Sequence, residues 1–401
     1  MPSNDCIVIG AGLVGLATAY KLLEQRPQTR VTVLEKEDHV CAHQSGRNSG
    51  VLHAGPSYKP GSTKARLTHR GARLMKIFCD ANGVRYDICG KLIVATNQVD
   101  RVRLEGLRNQ GIANGLVGLR LLSLDEAREI EPHVGGIAAL HVPEEGIVDY
   151  AAVGQALVSL IRRMGGTVTT ASRVYRLHRS GNEWVIETSN GEYRAKYLVT
   201  CAGLHADTIC RMAGEVPPTR IIPFRCEYYR LVQERASLVR HLIYPLPDPT
   251  FPFLGVHLTR RINGDVDAGP NAIMALAREG YDWSTINARD SIGILSFPGI
   301  WRFIGRYPGH TWREVRQSLS KRRLAAALQR LVPAIGVADL VSTGSGVRAQ
   351  AMRSDGTLVE DFLFHQTRTA LHVLNAPSPA ATASLAIGEE ITTRALAAQF
   401  V

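Results

Sequence analysis

The N-terminal segment contains the pattern that most restricts what this chain can fold into, because it joins a buried strand, a glycine-rich turn and an amphipathic helix. The run CIVIG is apolar enough for a buried strand, and LVGLATAYKLLEQ has the apolar spacing of a helix that packs on one face. Gly10, Gly12 and Gly15 give the GxGxxG spacing between the two. In such a turn the helix N-terminus can bind a pyrophosphate. A dinucleotide-binding βαβ unit is therefore predicted, with Leu13 and Val14 among the contacts.

The second strand of this unit, RVTVLEK, ends in Glu35 and Lys36. Glu35 follows Gly15 by about 20 residues, the separation at which a carboxylate accepts hydrogen bonds from an adenosine ribose. A glycine turn in a Rossmann fold that has lost its ligand is the alternative, and the ribose carboxylate argues against it. We predict that Glu35 and Lys36 both contact the cofactor. The pattern does not decide between NAD and FAD.

Residues 43–55, HQSGRNSGVLHAG, bring small, polar and flexible residues together soon after Glu35. Serine and asparagine side chains can donate hydrogen bonds, and the glycines let backbone amides approach a phosphate or a ring closely. A surface loop rich in Ser, Gly and Asn would have the same composition. In this segment we predict cofactor contacts from Ser45, Arg47, Asn48, Ser49, Gly50 and Leu52.

The remaining pattern indicates an α/β fold class with two domains. A helical pattern begins at Ala151, and KYLVTCAG predicts another buried strand. From about 217 to 305 short strands separated by Pro and Gly dominate, with few helical signals, and a basic helical stretch follows over about 312–331.

We predict a Rossmann-like cofactor-binding domain built from the discontinuous segments 1–77, 142–216 and 332–401. A substrate domain with a mainly antiparallel β-sheet is predicted from 78–141 and 217–331. Cofactor-type signals occur in three separated pieces of sequence, which is why the substrate domain is assigned to two insertions.

The composition is that of an ordinary globular enzyme, with 401 residues of which 45% are hydrophobic and 21% charged. A net charge of +11 suits an acidic substrate, an acidic lipid surface or nucleic acid, but no nucleic-acid motif occurs, so no nucleic-acid partner is predicted. The seven cysteines are scattered without a CxxC pair, which predicts reduced thiols, no metal site and a cytoplasmic protein. Neither a membrane-spanning helix nor a signal peptide is expected.

Several longer runs carry a resemblance to a known family. They are HQSGRNSGVLHAG, YKPGS, FCDANGVRYDICGKLIVAT, CAGLHAD, HLIYPLPDPTFPFLGVHLTR, GPNA, GVRAQ and NAPSPAAT. Together they resemble the L-2-hydroxyglutarate dehydrogenase (oxidase) family, within the D-amino-acid-oxidase-like (DAO) superfamily of FAD-dependent oxidoreductases, over essentially the whole chain. The chain departs from the family's pattern at Arg47, where His is usual, and at Pro56 and Ser57, which replace a bulky aliphatic and an aromatic residue.

The resemblance implies oxidation of L-2-hydroxyglutarate, a small dicarboxylate 2-hydroxy acid, to 2-oxoglutarate by hydride transfer from C2 to flavin N5. It also implies that electrons pass to a quinone or to oxygen, and that the protein contacts the inner membrane surface peripherally. We expect the FAD to be bound non-covalently, because no residue stands out as a linkage site. The pattern fixes neither the electron acceptor nor the oligomeric state.

Hydride transfer from a 2-hydroxy acid needs a cation for the carboxylate and a base for the hydroxyl proton. We assign Arg348, in GVRAQ, as the carboxylate clamp, with a surface ion pair as the alternative. His53 and His257 are the candidate bases, and His53 is preferred because it ends the cofactor-type segment; a structural histidine is the alternative for each. Tyr244 and Tyr58 are candidates for binding the distal carboxylate or for lining the pocket, and core packing is their alternative.

Further cofactor contacts follow from the resemblance. The backbone of Val174 is expected at the adenine, and Ala202 and Gly203 form a second small-residue turn against the cofactor. Arg348 is also expected near the flavin. The run APSPAAT should start the last helix, whose amides at Ala380, Ala381 and Thr382 would face the flavin pyrimidine, where a helix N-terminus favours negative charge. An ordinary Ser-Pro helix start is the alternative.

Three other functions compete with this interpretation. An FAD-dependent amino-acid or amine oxidase of the same superfamily would share every flavin motif and differ only in the pocket. A non-catalytic flavin-binding protein would be yellow and remain oxidised with every substrate. An NAD-dependent dehydrogenase fits least, because the GVRAQ and NAPSPAAT segments have no role in a simple nicotinamide enzyme.

Overall fold

The structure is a computed structural model that describes residues 3–248 and 254–398. Residues 249–253, part of the run HLIYPLPDPTFPFLGVHLTR, and residues 399–401, the end of the last predicted cofactor-domain segment, lie outside the described ranges. The strands are β1 (Asn4–Ile9), β2 (Val31–Leu34), β3 (Val51–Leu52), β4 (Tyr86–Asp87), β5 (Lys91–Ala95), β6 (Arg120–Ser123), β7 (Ala138–Val142), β8 (Gly146–Val148), β9 (Thr167–Thr169), β10 (Val174–Ser180), β11 (Glu183–Thr188), β12 (Gly191–Thr200), β13 (Arg220–Leu231), β14 (Leu242–Pro245), β15 (His257–Arg260), β16 (Val266–Gly269), β17 (Ile273–Met274), β18 (Leu340–Met352), β19 (Leu363–Gln366) and β20 (Ala370–Asn375).

The helices are α1 (Leu13–Gln25), α2 (Thr63–Asn82), α3 (Gln98–Ala113), α4 (Leu124–Ile130), α5 (Tyr150–Arg163), α6 (Ala206–Met212), α7 (Ala288–Leu295), α8 (Pro298–Arg306), α9 (Pro308–Ser318), α10 (Lys321–Gln329) and α11 (Ala380–Ala397). Within the described ranges, no helix combines the length and the apolar character needed to cross a membrane.

The first sheet has eight strands and a parallel centre. β20, β12, β1, β2 and β9 run parallel, while β10, β11 and β19 extend the sheet with antiparallel pairs. Helices α1, α5 and α11 pack on it, and their apolar faces form a buried core with residues such as Leu16, Leu157 and Ile387. Burying each such side chain contributes roughly 1.5–3 kcal/mol. The predicted Rossmann-like architecture is confirmed by this arrangement.

The turn between β1 and α1 depends on two glycines of the fingerprint. Gly10 has a φ of +105°, and a Cβ there would lie 2.5 Å from the carbonyl oxygen of Cys201. A Cβ on Gly15 would lie 1.9 Å from the carbonyl oxygen of Gly10. Only glycine permits this conformation and this close approach of helix to strand, so the start of α1 stays open toward the carboxyl ends of the parallel strands.

The second sheet has nine strands and is mainly antiparallel, as predicted for the substrate domain. β13 and β18 form its longest pair, which places Phe224 opposite Arg348. A single parallel pair joins β5 to β14 and aligns Lys91 with Leu242. The core of this sheet also contains apolar residues of α10, including Leu324 and Leu328.

The structure differs from the sequence expectations in three places. The stretch 217–305 was expected to contain few helices, but α7 and most of α8 lie in or beside it. α2 crosses the predicted boundary at 77/78, and β18, which was assigned to the cofactor domain, pairs within the antiparallel sheet. Long-range pairing with β13 decides the position of β18, and no local pattern signals it. The division into two domains is otherwise still a prediction.

A third sheet of three short strands has β8 between β3 and β4. Leu52 of this sheet packs in the core of the first sheet, and Val51 packs with Leu242 of the second. Val51 pairs with Ile147 and Leu52 with Gly146. The pairing ends there, so His53, the first residue after β3, lies beside Glu145, the residue before β8.

Candidate active site

A cavity of about 1610 Å³ extends from the carboxyl ends of the parallel strands to the antiparallel sheet. It exceeds the roughly 300–1,000 Å³ typical of small-molecule pockets, which leaves room for a dinucleotide together with a small substrate. The predicted site residues in its wall are Gly10, Gly12, Leu13, Val14, Gly15, Glu35, Lys36, Ser45, Arg47, Asn48, Ser49, His53, Tyr58, Val174, Ala202, Gly203, Tyr244, His257, Arg348, Ala380, Ala381 and Thr382. Gly50 and Leu52 do not line it, and Leu52 is buried in the core.

At the end of the cavity that contains Gly10, Gly12 and Gly15, two side chains stabilise the glycine turn by hydrogen bonds to its backbone. One carboxylate oxygen of Glu35 accepts a hydrogen bond from Ala11 N at 2.8 Å, and the other accepts one from Glu37 N at 3.0 Å. Ser45 Oγ accepts a hydrogen bond from Leu13 N at 3.0 Å. The glycine cradle, the helix N-terminus and the buried carboxylate fit a dinucleotide pyrophosphate and its ribose.

The loop over 43–50 is held by its own polar groups. Asn48 Nδ2 donates to the backbone oxygens of Gln44 and Ser45, and Asn48 Oδ1 accepts from Gly50 N at 2.8 Å. The guanidinium of Arg47 lies 4.1 Å from the centre of the Tyr281 ring. Thus Arg47 stacks on a residue of the antiparallel side, and Asn48 shapes the loop from within.

A network of charged side chains contacts the loop over 43–50. Glu279 Oε1 lies 2.7 Å from Lys36 Nζ and 2.8 Å from His205 Nε2. The hydrogen bond with His205 lowers the pKa of Glu279 most, and Lys36 lowers it further, although burial acts in the opposite direction. Ligand atoms of Glu37, His43 and Glu279 lie within 4.8 Å of one another, a spacing that could hold a metal ion. Because the Lys36 ammonium bonds to both carboxylates, the group forms an ion-pair network between the two sides of the cavity.

The start of α11 is joined to the strand that ends at His53. Thr382 Oγ1 accepts a hydrogen bond from His53 N at 3.1 Å and lies 2.8 Å from the hydroxyl of Tyr150. It also donates to the carbonyl oxygen of Val51 at 3.2 Å. These contacts fix the helix N-terminus and the histidine in one place at the cavity.

Arg348 projects from β18 into the wall of the cavity. Within the described ranges, no carboxylate lies within 4 Å of its guanidinium, whereas Arg211 and Arg278, which also line the cavity, both pair with Asp207. Its neighbours are the Cys226 thiol and the Tyr228 and Tyr244 hydroxyls. A part-buried guanidinium without an anionic partner is suited to bind a carboxylate through two parallel hydrogen bonds.

The two candidate histidines differ in their surroundings. The ring of His257 is buried, stacks on Tyr244 with 4.0 Å between the ring centres, and donates from Nδ1 to the carbonyl oxygen of Gly255 at 2.9 Å. Burial lowers the pKa of His257 to about 3. His53 is 19% exposed, and its Nδ1 lies 3.5 Å from Glu145 Oε2.

Glu145 and Lys91 are residues of this site that the sequence analysis missed. Lys91 Nζ lies 2.7 Å from Glu145 Oε1 and 4.8 Å from the centre of the Tyr244 ring, and both side chains line the cavity. Although burial opposes ionisation, Lys91 and His53 together lower the pKa of Glu145 to about 2. Glu145 lies in the run PEEG, residues 143–146, which has the composition of a turn, and no local pattern marks this glutamate as a cavity residue.

Of the two predicted tyrosines, Tyr244 is buried and Tyr58 half-buried, and both line the cavity. Burial raises the pKa of Tyr58 well above its ordinary value, and its ring lies 4.7 Å from Lys64 Nζ. The hydroxyl of Tyr244 lies 3.4 Å from Thr259 Oγ1. Lys64 also lines the cavity, and burial lowers its pKa to about 8.

Comparisons with known proteins agree with this geometry. A family model described as FAD dependent oxidoreductase (DAO) matches residues 5–394. The chain is 43% identical to the L-2-hydroxyglutarate dehydrogenase of Indibacter alkaliphilus over 97% of this chain and 98% of that protein, and 43% identical to that of Escherichia coli K12 over 97% and 92%. It is 40% identical to the mitochondrial L-2-hydroxyglutarate dehydrogenase of Homo sapiens, covering 96% of this chain and 87% of the human protein.

Solved structures extend the likeness to the fold. L-alpha-glycerophosphate oxidase from Mycoplasma pneumoniae, with FAD bound, superposes with a TM-score of 0.82 at 21% identity, covering 99% of this chain and 95% of that one. Glycine oxidase from Geobacillus kaustophilus superposes with a TM-score of 0.73 at 16% identity, covering 98% and 95%. At these identities the likeness concerns the fold alone.

Proposed function

The chain belongs to the DAO family of FAD-dependent oxidoreductases, and from that premise we propose that it oxidises L-2-hydroxyglutarate to 2-oxoglutarate. The observation that carries the proposal is the 40–43% identity, over nearly the full length, to curated L-2-hydroxyglutarate dehydrogenases. Arg348, which has no carboxylate partner within the described ranges, and His53 line one cavity, and this supports the proposal chemically.

In this proposal the protein's own groups bind and orient the substrate. Bound FAD supplies the hydride acceptor, N5 of its ring. Arg348 binds the C1 carboxylate through its planar guanidinium, and His53 accepts the proton of the C2 hydroxyl. With the carboxylate and the hydroxyl both held, the C2 hydrogen has one orientation in the site.

The distal carboxylate needs a second cation or hydrogen-bond donor. The ammonium of Lys91 is already paired with Glu145, so it is not free to bind an anion. We assign this role to Lys64, together with the hydroxyls of Tyr58 and Tyr244, because all three side chains line the same cavity. Pro56 and Ser57 also line it, and their small side chains leave space at this end.

Anaerobic titration of the purified yellow protein tests the proposed function. L-2-hydroxyglutarate should bleach the flavin, whereas D-2-hydroxyglutarate, L-lactate, L-malate and glycine should not do so at comparable concentration. Bleaching by glycine or another amino acid would instead identify an amino-acid oxidase. A flavin that remains oxidised with every compound would identify a non-catalytic flavin-binding protein.

The electron acceptor is proposed to be a quinone or oxygen. Reoxidation of the substrate-reduced protein by a soluble quinone under nitrogen, compared with reoxidation by air, distinguishes the two.

We also propose a cytoplasmic protein that contacts the inner membrane surface peripherally. In support of that contact, the successive helices α8 and α9 expose Trp301 by 57% and Trp312 by 62%.

Positive charge accompanies these exposed tryptophans. Arg306, Arg313 and Arg316 are exposed on the same two helices. Indole rings favour the membrane interface, and arginines are attracted to anionic headgroups.

Sedimentation with vesicles tests this contact. The wild-type protein should sediment with vesicles that contain phosphatidylglycerol more than with neutral ones. Combining Trp301→Ser with Trp312→Ser should abolish that difference, whereas Val99→Ser with Val102→Ser, which changes exposed apolar residues on α3, should retain it. Equal sedimentation of both double variants would contradict the assigned surface.

A further inference from the structure

We propose that Glu145, paired with Lys91, positions His53 as the base that accepts the substrate's hydroxyl proton; this assignment rests on the proposed oxidation of a 2-hydroxy acid. It also explains why a buried ion pair lies in the substrate cavity. The inference is carried by strand register, by the polar partners of the carboxylate and by the contrast with His257.

Strand register brings the two residues together. β3 and β8 pair Val51 with Ile147 and Leu52 with Gly146. The next two residues in this antiparallel register are His53 and Glu145, which therefore lie opposite each other. The result is a separation of 3.5 Å between His53 Nδ1 and Glu145 Oε2. Hydrogen bonds of catalytic groups are often long without substrate and shorten in the complex, so this distance is compatible with a working pair.

The carboxylate of Glu145 is divided between two partners. Its side chain is fully buried, and Oε1 lies 2.7 Å from Lys91 Nζ and accepts a longer hydrogen bond from Gly55 N at 3.4 Å. Within the described ranges Oε2 has no hydrogen-bond partner of ordinary length, and its near neighbour is His53 Nδ1. A buried carboxylate oxygen without a donor is costly, and an imidazole N–H is the group placed to satisfy it.

This arrangement selects one tautomer of His53. When Nδ1 carries the hydrogen and donates it to Glu145, Nε2 is left with a lone pair for the substrate. During oxidation the substrate O–H bond breaks, its proton forms a bond to Nε2, and the hydrogen on C2 leaves with its electron pair for the cofactor as the carbonyl forms. The imidazolium produced is then stabilised by the carboxylate of Glu145.

His257 lacks such a partner. Its Nδ1 donates to the Gly255 carbonyl, which fixes a tautomer but brings no negative charge to a protonated ring. Titratable and charged side chains that line the cavity with His53 include Glu145, Lys91, Lys64, Tyr58, Tyr150, Tyr244, His257, Arg348 and Glu360. Within the described ranges, Glu145 is the carboxylate that lies within 4.0 Å of the His53 ring, so the assignment of the base follows from it.

The test is the pH dependence of anaerobic flavin reduction in Glu145→Gln. Loss of the carboxylate should lower the rate constant at least about 10-fold, within the range that general acid–base catalysis supplies. It should also move the acidic limb of the profile toward lower pH, because the protonated ring loses its counter-charge. The dissociation constant of the substrate should change little. A profile and a rate constant like those of the wild type would overturn the proposal.

Glu131→Gln is the matched control. Glu131 is also fully buried and lies 2.9 Å from the ring of a histidine, His241, but neither residue lines the cavity. Its variant should keep the wild-type profile. If both variants shift the acidic limb alike, loss of any buried carboxylate explains the effect and the proposal fails.

A double variant and a spectroscopic measurement cover the remaining outcomes. If the single variant folds poorly, Glu145→Gln with Lys91→Met, which removes both buried charges, replaces it. Its limb should move in the same direction but by less, because loss of the Lys91 cation partly offsets loss of the carboxylate. In protein with ¹⁵N-labelled histidine, the ring nitrogens of His53 should report a hydrogen fixed on Nδ1 that is lost in Glu145→Gln. If this signature is present while L-2-hydroxyglutarate fails to reduce the flavin, the positioning stands and the proposed substrate fails; an unchanged signature overturns the positioning.

Discussion

His53 and Glu145 face each other one step beyond the last paired residues of β3 and β8, with 3.5 Å between Nδ1 and Oε2. The histidine is also tied through its backbone N–H to Thr382, in the first turn of α11. The proposed base is therefore fixed between a buried carboxylate and the helix end expected at the flavin pyrimidine. In the proposed function, His53 is therefore the residue at which the substrate site adjoins the cofactor site.

Removing the charge of Arg348 should nearly abolish activity while FAD stays bound. The substrate carboxylate would be desolvated without a partner, a loss of roughly 2–5 kcal/mol. Arg348→Met should lower kcat/KM accordingly, and Arg348→Lys should retain part of the activity because it keeps the charge but not the planar fork. Steady-state kinetics with L-2-hydroxyglutarate check this, and near-normal efficiency in a flavin-loaded Arg348→Met would assign the clamp to another cation such as Lys64.

Changes at the fingerprint should weaken cofactor retention. A branched side chain in Gly12→Val would occupy the space of the pyrophosphate, so this protein should be isolated with little flavin. Glu35→Ala should reduce retention less, by loss of one charge-assisted hydrogen bond of about 1.5–3 kcal/mol. The ratio of flavin to protein absorbance after gel filtration measures both, and full occupancy in Gly12→Val would contradict the pyrophosphate assignment.

The acidic limb of the pH–rate profile should not follow His257. Because burial lowers the pKa of His257 to about 3, its ring is neutral throughout the working range. His257→Gln should therefore reduce the rate of flavin reduction through changed packing against Tyr244 while the limb keeps its midpoint. His53→Gln should remove the limb and most of the activity. A limb that disappears in His257→Gln instead would make His257 the base.

Acid stability should depend on the buried ion pair. Glu145 has a pKa of about 2 in the folded protein, below its ordinary value of 4.5. Its ionised carboxylate therefore stabilises the fold fully above about pH 4.5, and this contribution is lost as the pH falls toward 2. Glu145→Gln with Lys91→Met should therefore lose less unfolding free energy than the wild type between about pH 5 and pH 3. Urea unfolding at each pH measures this, with Glu131→Gln as the control. Parallel pH dependence in wild type and double variant would contradict the assigned pairing.

Local patterns made much of this fold predictable. The GxGxxG turn and the start of α11 depend on residues close together in sequence, so their glycine and helix-start signals were sufficient. α7 carried a signal that could have been used, because Asn287 caps it by accepting a hydrogen bond from Asp290 N, and α8 begins with Pro298.

The pair Glu145 and Lys91 could not be found in this way. Their contact with each other and with His53 depends on the pairing of β3 with β8 and of β5 with β7, which joins distant parts of the chain. A single buried glutamate in a turn-like run has no periodicity to reveal it. The lack of a carboxylate near Arg348, among the described residues, was likewise not predictable, because it depends on which distant segments surround this side chain in the fold.

The central claim is tested most directly by rapid anaerobic mixing of the flavin-loaded protein with L-2-hydroxyglutarate. We expect the flavin absorbance to bleach in a saturable reaction that becomes slower when C2 carries deuterium, with 2-oxoglutarate formed in an amount equal to the flavin reduced. D-2-hydroxyglutarate should leave the flavin oxidised. No bleaching by L-2-hydroxyglutarate, or bleaching at the same rate by both enantiomers, would contradict the proposed oxidation.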